Sequence, residues 1–380
     1  MSGRRRLLAL AATLSLAAAA PAAAQTVYIA FGDSLTAGSF DERAEPGYPP
    51  ALEGLLAARG VDAVVENHGL PGETTGEALS RIDSVLAGGG DVLLLMEGTN
   101  DVNQNVPLTT TIFNLGELAD RAEAAGVATV HATIIPRRPS AATDGSNRNT
   151  RNLNGDIRAL AWDTGRSLVD PFDVFISTGN VYDQYYVGGG DNLHLNEQGY
   201  DFLAVPFADV LTGIDNRPPV AGRVVPFDDQ QDTPNDIVVS VDLYDFGAGI
   251  DVGATRLLID DEPVEAQISG DERRQQIRYV PPEPWDGVVF VGLEARDREV
   301  PANTRSGTLV QFVVEGADFL PGDITRDGRV AGDDLIALAF AFGSERGEGR
   351  FRTFADLNGD GRVDGADLAI LASNFGRSSF

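Results

Sequence analysis

Four short clusters in the first half of the chain hold side chains with chemistry to offer. Phe31-Gly32-Asp33-Ser34-Leu35-Thr36-Ala37-Gly38 puts a hydroxyl where an apolar run ends and a helical pattern begins. Asn67-His68-Gly69-Leu70-Pro71-Gly72-Glu73-Thr74 is rich in glycine, which lets backbone N–H groups approach a ligand closely. Gly98-Thr99-Asn100-Asp101 adds a carboxamide, and Asp191-Asn192-Leu193-His194 sets an imidazole shortly after a carboxylate. An oxygen nucleophile, a base that titrates near neutrality and N–H donors aimed at a developing oxyanion are what acyl transfer to water requires. Taken alone, a serine before a helix is more often a cap than a nucleophile, so the companions of Ser34 decide the matter.

A second chemistry sits near the C-terminus, where Asp323-Ile-Thr-Arg-Asp-Gly-Arg-Val-Ala-Gly-Asp-Asp-Leu335 recurs in register as Asp356-Leu-Asn-Gly-Asp-Gly-Arg-Val-Asp-Gly-Ala-Asp-Leu368. Calcium is a hard cation held by oxygens at loop positions 1, 3, 5, 7, 9 and 12, with glycine at 6 for the turn. The second repeat offers Asp356, Asn358, Asp360, the carbonyl of Arg362, Asp364 and Asp367. The first offers Asp323, Thr325, Asp327, the carbonyl of Arg329 and Asp334, with Ala331 where another oxygen would help, so its affinity is expected to be lower. A helix should follow each loop directly, with Leu335, Leu338 and Phe342 on one face of the first. The segment from Gly322 to Gly376 resembles a type I dockerin, which implies bound structural calcium and a cohesin-like protein partner. Loop positions 10 and 11, often hydroxyl pairs in that family, are here Gly332-Asp333 and Gly365-Ala366.

Strands and helices must position these groups. Apolar runs Val27 to Phe31, Val61 to Val65, Val92 to Met96, Val127 to Ile135 and Ser167 to Val169 alternate with helical patterns at Tyr48 to Arg59, Thr75 to Ala87, Asn114 to Ala125, Thr150 to Thr164 and Asn196 to Leu211. That alternation predicts a parallel sheet covered by helices on both faces, with the four clusters at its ligand-binding end. Pro206 should kink the last helix. After Asn216-Arg217-Pro218-Pro219 the pattern changes to short β-branched runs, Ile237 to Leu243, Thr255 to Ile259, Gln276 to Val280, Val288 to Ala295 and Thr308 to Val314, as in an antiparallel sandwich. This part is similar to a bacterial immunoglobulin-like module with a spacer role. The expected division is a signal peptide at 1–24, an α/β hydrolase domain at 25–215, an all-β immunoglobulin-like spacer at 216–316 and a small helical dockerin-like domain at 317–380.

With all four clusters in order, the first domain resembles the SGNH (GDSL) hydrolase family, whose fold is a flavodoxin-like three-layer sandwich. The resemblance implies Ser34 as nucleophile, His194 as general base and then acid, and Asp191 as the orienting carboxylate. It implies an oxyanion hole from the backbone N–H groups of Ser34 and Gly72 and the amide of Asn100, with no cofactor for catalysis. Of the three histidines, His194 has the right companion; His131 lies within a predicted strand as a buried, hydrogen-bonded imidazole, and His68 faces either substrate or backbone groups. Asp33 and Asp101 read as loop braces, Asn154 and Asp170 as structural, and Phe40, Tyr48 and Leu70 as candidate lining of a small acyl pocket.

Composition narrows the partners. With 57 acidic residues against 29 basic ones the net charge is −28, which repels phosphate backbones and anionic lipid, so nucleic-acid binding is excluded. The absence of cysteine removes thiol nucleophiles, disulfides and thiolate-ligated metals. Arg4, Arg5 and Arg6 before a Leu/Ala run to Ala20, with small residues at Ala22, Ala23 and Ala24, read as a cleavable secretory leader. No later run suffices to span a membrane. The expected protein is secreted or extracytoplasmic, with attachment to a cell surface open, and deacylates esterified carbohydrate. Two alternatives stand beside it: a lipase, lysophospholipase or thioesterase of broad specificity, and a non-catalytic calcium-dependent scaffold or adhesion protein.

Overall fold

The alternating apolar runs form five strands in a computed structural model that describes residues 25–140, 142–314, 321–325, 329–345, 355–358 and 362–378. The expected leader, Asp327 and Asp360 lie outside the described residues. The strands are β1 (Thr26–Gly32), β2 (Ala63–Gly69), β3 (Val92–Met96), β4 (Ala128–Ala132) and β5 (Ser167–Val169). All are parallel, in the order β2-β1-β3-β4-β5, the flavodoxin-like arrangement of a doubly wound sheet. The helices in chain order are α1 (Ser34–Ala37), α2 (Tyr48–Ala58), α3 (Thr75–Leu86), α4 (Thr99–Asn103), α5 (Leu108–Ala124), α6 (Asp144–Thr164), α7 (Pro171–Ser177), α8 (Val181–Tyr185) and α9 (Glu197–Leu211).

Strand alternation divides the core in two. Tyr28, Ala30, Leu94 and Met96 pack with Leu52 and Leu56 of α2 and Leu203 and Phe207 of α9. Ile29, Phe31, Leu93 and Leu95 face the other way, onto Ile82 of α3, Leu115 and Leu118 of α5 and Leu153 and Ile157 of α6. Both faces are therefore buried, as the continuous apolar runs required. Four boundaries differ from expectation, β4 among them, which ends at Ala132 instead of Ile135. β2 continues through polar Glu66-Asn67-His68-Gly69, because an edge strand keeps its ladder on one side while its side chains reach water. α5 starts earlier, directly after Pro107, and α6 begins on a polar turn at Asp144 that carries no apolar periodicity. α9 continues through Pro206 to Leu211. The short helices α1, α4, α7 and α8 span too few residues to show a helical period.

The second unit contains β6 (Val220–Val225), β7 (Gln230–Thr233), β8 (Val239–Tyr244), β9 (Arg256–Ile259), β10 (Glu262–Val264), β11 (Gln267–Gly270), β12 (Arg274–Tyr279), β13 (Val288–Arg296) and β14 (Thr304–Val314). They form two sheets, β10-β9-β13-β14-β7 and β11-β12-β8-β6, closed over Val241, Leu243, Leu257, Ile277, Val291 and Phe312. This unit is docked on the first. Arg158 of α6, buried, donates to the Asp170 carboxylate at 2.8 Å and to the Ala221 carbonyl of β6 at 3.0 Å. A Cβ on Gly155 would lie 2.7 Å from the Gly222 carbonyl, so the helix and strand touch backbone to backbone. Arg305 of β14 also pairs with Asp173.

In the third unit α10 (Gly332–Ala341) and α11 (Gly365–Asn374) follow the repeated loops, and β15 (Ser344–Glu345) pairs with β16 (Arg362–Val363). Arg329 bridges Ser378 in the equivalent place on the other repeat. Ile324, Val330, Leu338, Val363 and Leu371 make its small core. Of the expected apolar face, Leu338 is buried, whereas Leu335 and Phe342 stand exposed. Among the described residues no helix is long and apolar enough to cross a membrane.

Candidate active site

Register brings the clusters together. At the end of β1, Gly32 lies beside Gly69 of β2 and Met96 of β3, and the chain then releases Ser34, Gly72 and Asn100 within a few residues of those three ends. This is the crevice where the strand order reverses, the ligand position of open α/β sheets. Gly32 has no room for a side chain: a Cβ there would meet Thr36 Oγ1 at 2.2 Å and the Met96 carbonyl at 2.5 Å. Gly72 instead has φ +84°, a left-handed conformation that favours glycine.

The relay is assembled. Ser34 Oγ lies 2.9 Å from His194 Nε2, and His194 Nδ1 lies 2.8 Å from Asp191 Oδ2. The other carboxylate oxygen, Oδ1, accepts the backbone N–H groups of Leu193 at 2.8 Å and His194 at 2.7 Å. Burial tends to raise the Asp191 carboxyl, but the backbone and ring hydrogen bonds from His194, with the Leu193 N–H, outweigh it and hold the group below the usual carboxylate range. Asp191 is thus the anion the imidazole requires.

Asn100 ties the blocks to one another. Its Nδ2 donates to the Glu73 carbonyl, next to Gly72, at 2.8 Å and reaches toward Asp33 Oδ2 at a long 3.4 Å. The weaker of these two contacts leaves one amide hydrogen for an oxyanion. Asp33 braces the start of α1, its Oδ1 accepting the Leu35 N–H at 2.8 Å. Burial pushes its carboxyl up to about 6, opposed by that N–H, the Thr99 hydroxyl and the cationic forms of His194 and Arg137. Asp101 braces α3, accepting the Thr75 N–H at 2.9 Å and the Thr75 hydroxyl at 2.5 Å.

Two groups beneath the site carry no motif signal. Arg137 is buried and donates to Asn103 Oδ1 at 2.6 Å, the Thr99 carbonyl at 3.2 Å and Thr150 Oγ1 at 3.1 Å, which stitches α4 to α6. Glu97 is fully buried, with neither carboxyl oxygen hydrogen-bonded. Burial first, then the neighbouring carboxylates Asp33, Glu73 and Asp101, push it well above the ordinary range. Glu73 itself pairs with Arg81 at 2.5 Å, whose guanidinium sits 3.9 Å over the Phe31 ring. Only the apolar context of Glu97, directly after Leu93-Leu94-Leu95-Met96, could have marked it in the sequence.

The remaining candidates separate. His68 turns to Glu66, 3.1 Å away on the same strand, and His131 is buried in β4 with its Nε2 unpartnered, burial pushing it down to about 4. The expected hydrogen bond at that nitrogen is absent: the nearby carboxylates Glu123 and Asp120 are paired with Arg166. Asn154 is structural, bonded to both the N–H and the carbonyl of Ile134, and Asp170 pairs with Arg158. Tyr48 does not line a pocket: it is fully buried where α2 packs on α9 and stacks on Phe207 at 4.6 Å. Phe40 and Leu70 are exposed, and the Phe40 ring lies 5.0 Å from the His194 ring.

In the C-terminal unit the last residue of each loop is buried and reaches back across it. Asp334 accepts the N–H groups of Thr325 and Ala331, at 2.8 and 2.7 Å, and Asp367 those of Leu357 and Asp364, each at 2.7 Å. Asp364 also caps α11 through the Ala366 N–H. Asp323, Arg329, Asp356, Asn358 and Arg362 fall in these same loops, while Asp327 and Asp360 are outside the described residues. Among the described residues no group of three acidic or histidine side chains is gathered around one point. The donor set is all oxygen, which fits calcium, and each carboxylate keeps lone pairs beyond its N–H bonds.

Residues 30–202 match the GDSL-like Lipase/Acylhydrolase family, and residues 321–375 match the Dockerin type I domain. An arylesterase from Vibrio mimicus is 33% identical over 114 residues, 30% of this chain and 56% of that protein, so the match spans little more than half of that relative. A lipase/acylhydrolase from Enterococcus faecalis is 22% identical, covering 50% of this chain and 96% of its own with a TM-score of 0.45. An acetylxylan esterase from Geobacillus stearothermophilus is 20% identical, covering 50% and 97% with a TM-score of 0.43.

Proposed function

We propose that this chain, which carries a GDSL-like lipase/acylhydrolase domain and a type I dockerin domain, is an exported serine ester hydrolase that deacylates esterified carbohydrate. The observation that carries the catalytic half is the continuous relay from Ser34 Oγ through His194 to Asp191, with links of 2.9 and 2.8 Å. Ser34 Oγ attacks the acyl carbon while His194 Nε2 takes its proton. Asp191 holds the ring with Nδ1–H toward itself and balances the imidazolium. The oxyanion of the tetrahedral intermediate receives the Asn100 amide and the backbone N–H groups of Ser34 and Gly72, each donor contributing roughly 2.7–4 kcal/mol in the transition state. Collapse expels the alcohol, which takes its proton from Nε2, and water repeats the sequence on the acyl-enzyme.

Support for a carbohydrate ester comes from the dockerin domain, a module for attachment rather than chemistry. In that domain calcium would be held by Asp323, Thr325, Asp327, Asp334 and the Arg329 carbonyl, and by Asp356, Asn358, Asp360, Asp364, Asp367 and the Arg362 carbonyl. A bound ion there would supply the positive charge that these clustered loop oxygens require, and a cohesin-like protein is the partner.

A serine-directed phosphonate tests the catalytic assignment. The wild-type chain should be labelled at one site and lose p-nitrophenyl acetate hydrolysis, while Ser34→Ala should take up no label. Equal labelling of the two proteins would remove Ser34 from the mechanism.

A further inference from the structure

The direction in which the alcohol leaves is set by the relay. His194 Nε2 must return its proton to the leaving oxygen, so the alcohol departs on the imidazole side of Ser34, away from the Asn100 and Gly72 donors. On that side the surface dips into a shallow, open cleft of about 400 Å³ lined by Phe40, Glu42, Asn196, Glu197 and Gln198. We propose that this cleft is the subsite for the leaving alcohol, that Phe40 is its stacking platform, and that the alcohol it accepts is a neutral sugar ring. The proposal rests on the esterase assignment above and adds the residues that choose the substrate.

Three observations carry it. Phe40 is 60% exposed, beside the catalytic imidazole, and holds φ +68°, a left-handed backbone that is unfavourable for an aromatic residue. The chain on both sides is pinned. The Ser39 carbonyl accepts the Tyr200 hydroxyl at 2.8 Å, and the Asp41 carboxylate takes the Arg43 guanidinium at 2.6 Å and the Gly47 N–H at 2.9 Å. The backbone that carries the ring is therefore held beside His194. The rest of the lining is polar. The Asn196 side chain is occupied capping α9 and bonding the Gln184 carbonyl, which leaves exposed Glu42, Glu197 and Gln198 as the groups facing a ligand.

An aromatic face with carboxylates and a carboxamide around it suits a ring that is apolar on its C–H face and carries hydroxyl donors at its edge. A fatty alcohol or lysophospholipid would find two carboxylates where it needs apolar walls or a cation, and an anionic sugar would be repelled. The nearby guanidinium, Arg43, is paired with both Asp41 and Asp201.

The test compares two acetyl esters on the full-length wild type, Phe40→Ala and Phe40→Trp. Vinyl acetate presents no ring to the subsite, and acetylated xylotriose presents one. Phe40→Ala should raise KM for acetylated xylotriose roughly tenfold with kcat little changed, and should raise that for vinyl acetate by a much smaller factor. Phe40→Trp should restore the sugar ester. Equal losses on both esters would show that the ring serves only to hold His194, and no change on either would remove it from recognition. A loss that instead grows with acyl length across p-nitrophenyl esters would make the cleft an acyl pocket, and each of these three results overturns the proposal. If the wild type cleaves vinyl acetate but not acetylated xylotriose, the subsite fails while the esterase stands; inactivity on both sinks the esterase assignment itself.

Discussion

Asp191 grips His194 twice, through Oδ2 to the ring Nδ1 at 2.8 Å and through Oδ1 to the backbone N–H at 2.7 Å. A single carboxylate thereby fixes the tautomer, the ring plane and the backbone that carries the ring.

Asp191→Asn should keep much of that geometry and lose the function. A carboxamide can donate to Nδ1 and so favours the wrong tautomer, which in serine hydrolase triads lowers kcat roughly 10⁴-fold. Steady-state hydrolysis of p-nitrophenyl acetate, with circular dichroism to verify the fold, measures this. A drop below tenfold would mean that Asp191 is not the orienting partner.

Asn100→Ala should lower kcat by about 10²–10³ while leaving KM nearly unchanged, because the amide acts on charge that exists only in the transition state. Loss of its bond to the Glu73 carbonyl should move the melting temperature little, since α3 stays anchored by Asp101. A change in KM alone would assign Asn100 to ground-state binding.

Glu97→Gln should stabilise the hydrolase domain increasingly as pH rises. The folded-state pKa of Glu97 is raised by burial and by Asp33, Glu73 and Asp101, so wild-type stability is complete below the unfolded value near 4.5. It is lost as pH climbs from there toward the folded value, because the unfolded chain ionises while the folded one must keep its proton. Gln carries no such penalty. Melting curves of both proteins at pH 4.5 and pH 8 should therefore diverge, by about 2–4 °C for each kcal/mol. A Gln variant destabilised equally at both pH values would indicate an ionised, paired Glu97.

Calcium should protect the C-terminal unit. In the full chain, EGTA should expose the region from Asp323 to Arg377 to proteolysis and reduce helicity, and added calcium should reverse both. Asp367→Ala, which removes the loop's own bonds to Leu357 and Asp364 together with a proposed ligand, should need more calcium for the same protection. Protease resistance indifferent to EGTA would exclude the ion.

The parallel sheet was legible because each strand buried on both faces had to be an apolar run, and the four clusters because they sit at strand ends. Ser34, Asp191 and His194 are implied by the family that the four clusters resemble, and the fold brings them within hydrogen-bonding distance. Glu97 and Arg137 were invisible, since their surroundings are assembled from segments distant in sequence. The place of Tyr48 in the core depended on the angle at which α2 meets α9, which no local pattern encodes. Phe40 reads as apolar lining, but its approach to His194 needs a positive φ that sequence gives no sign of at a phenylalanine.

Because Gly155 and Gly222 meet without side chains between them and Arg158 spans the junction, hydrolase and sandwich share a close-packed seam. A side chain at position 155 would have to push that strand away, so even an alanine there trades the fit between the two units for a methyl group.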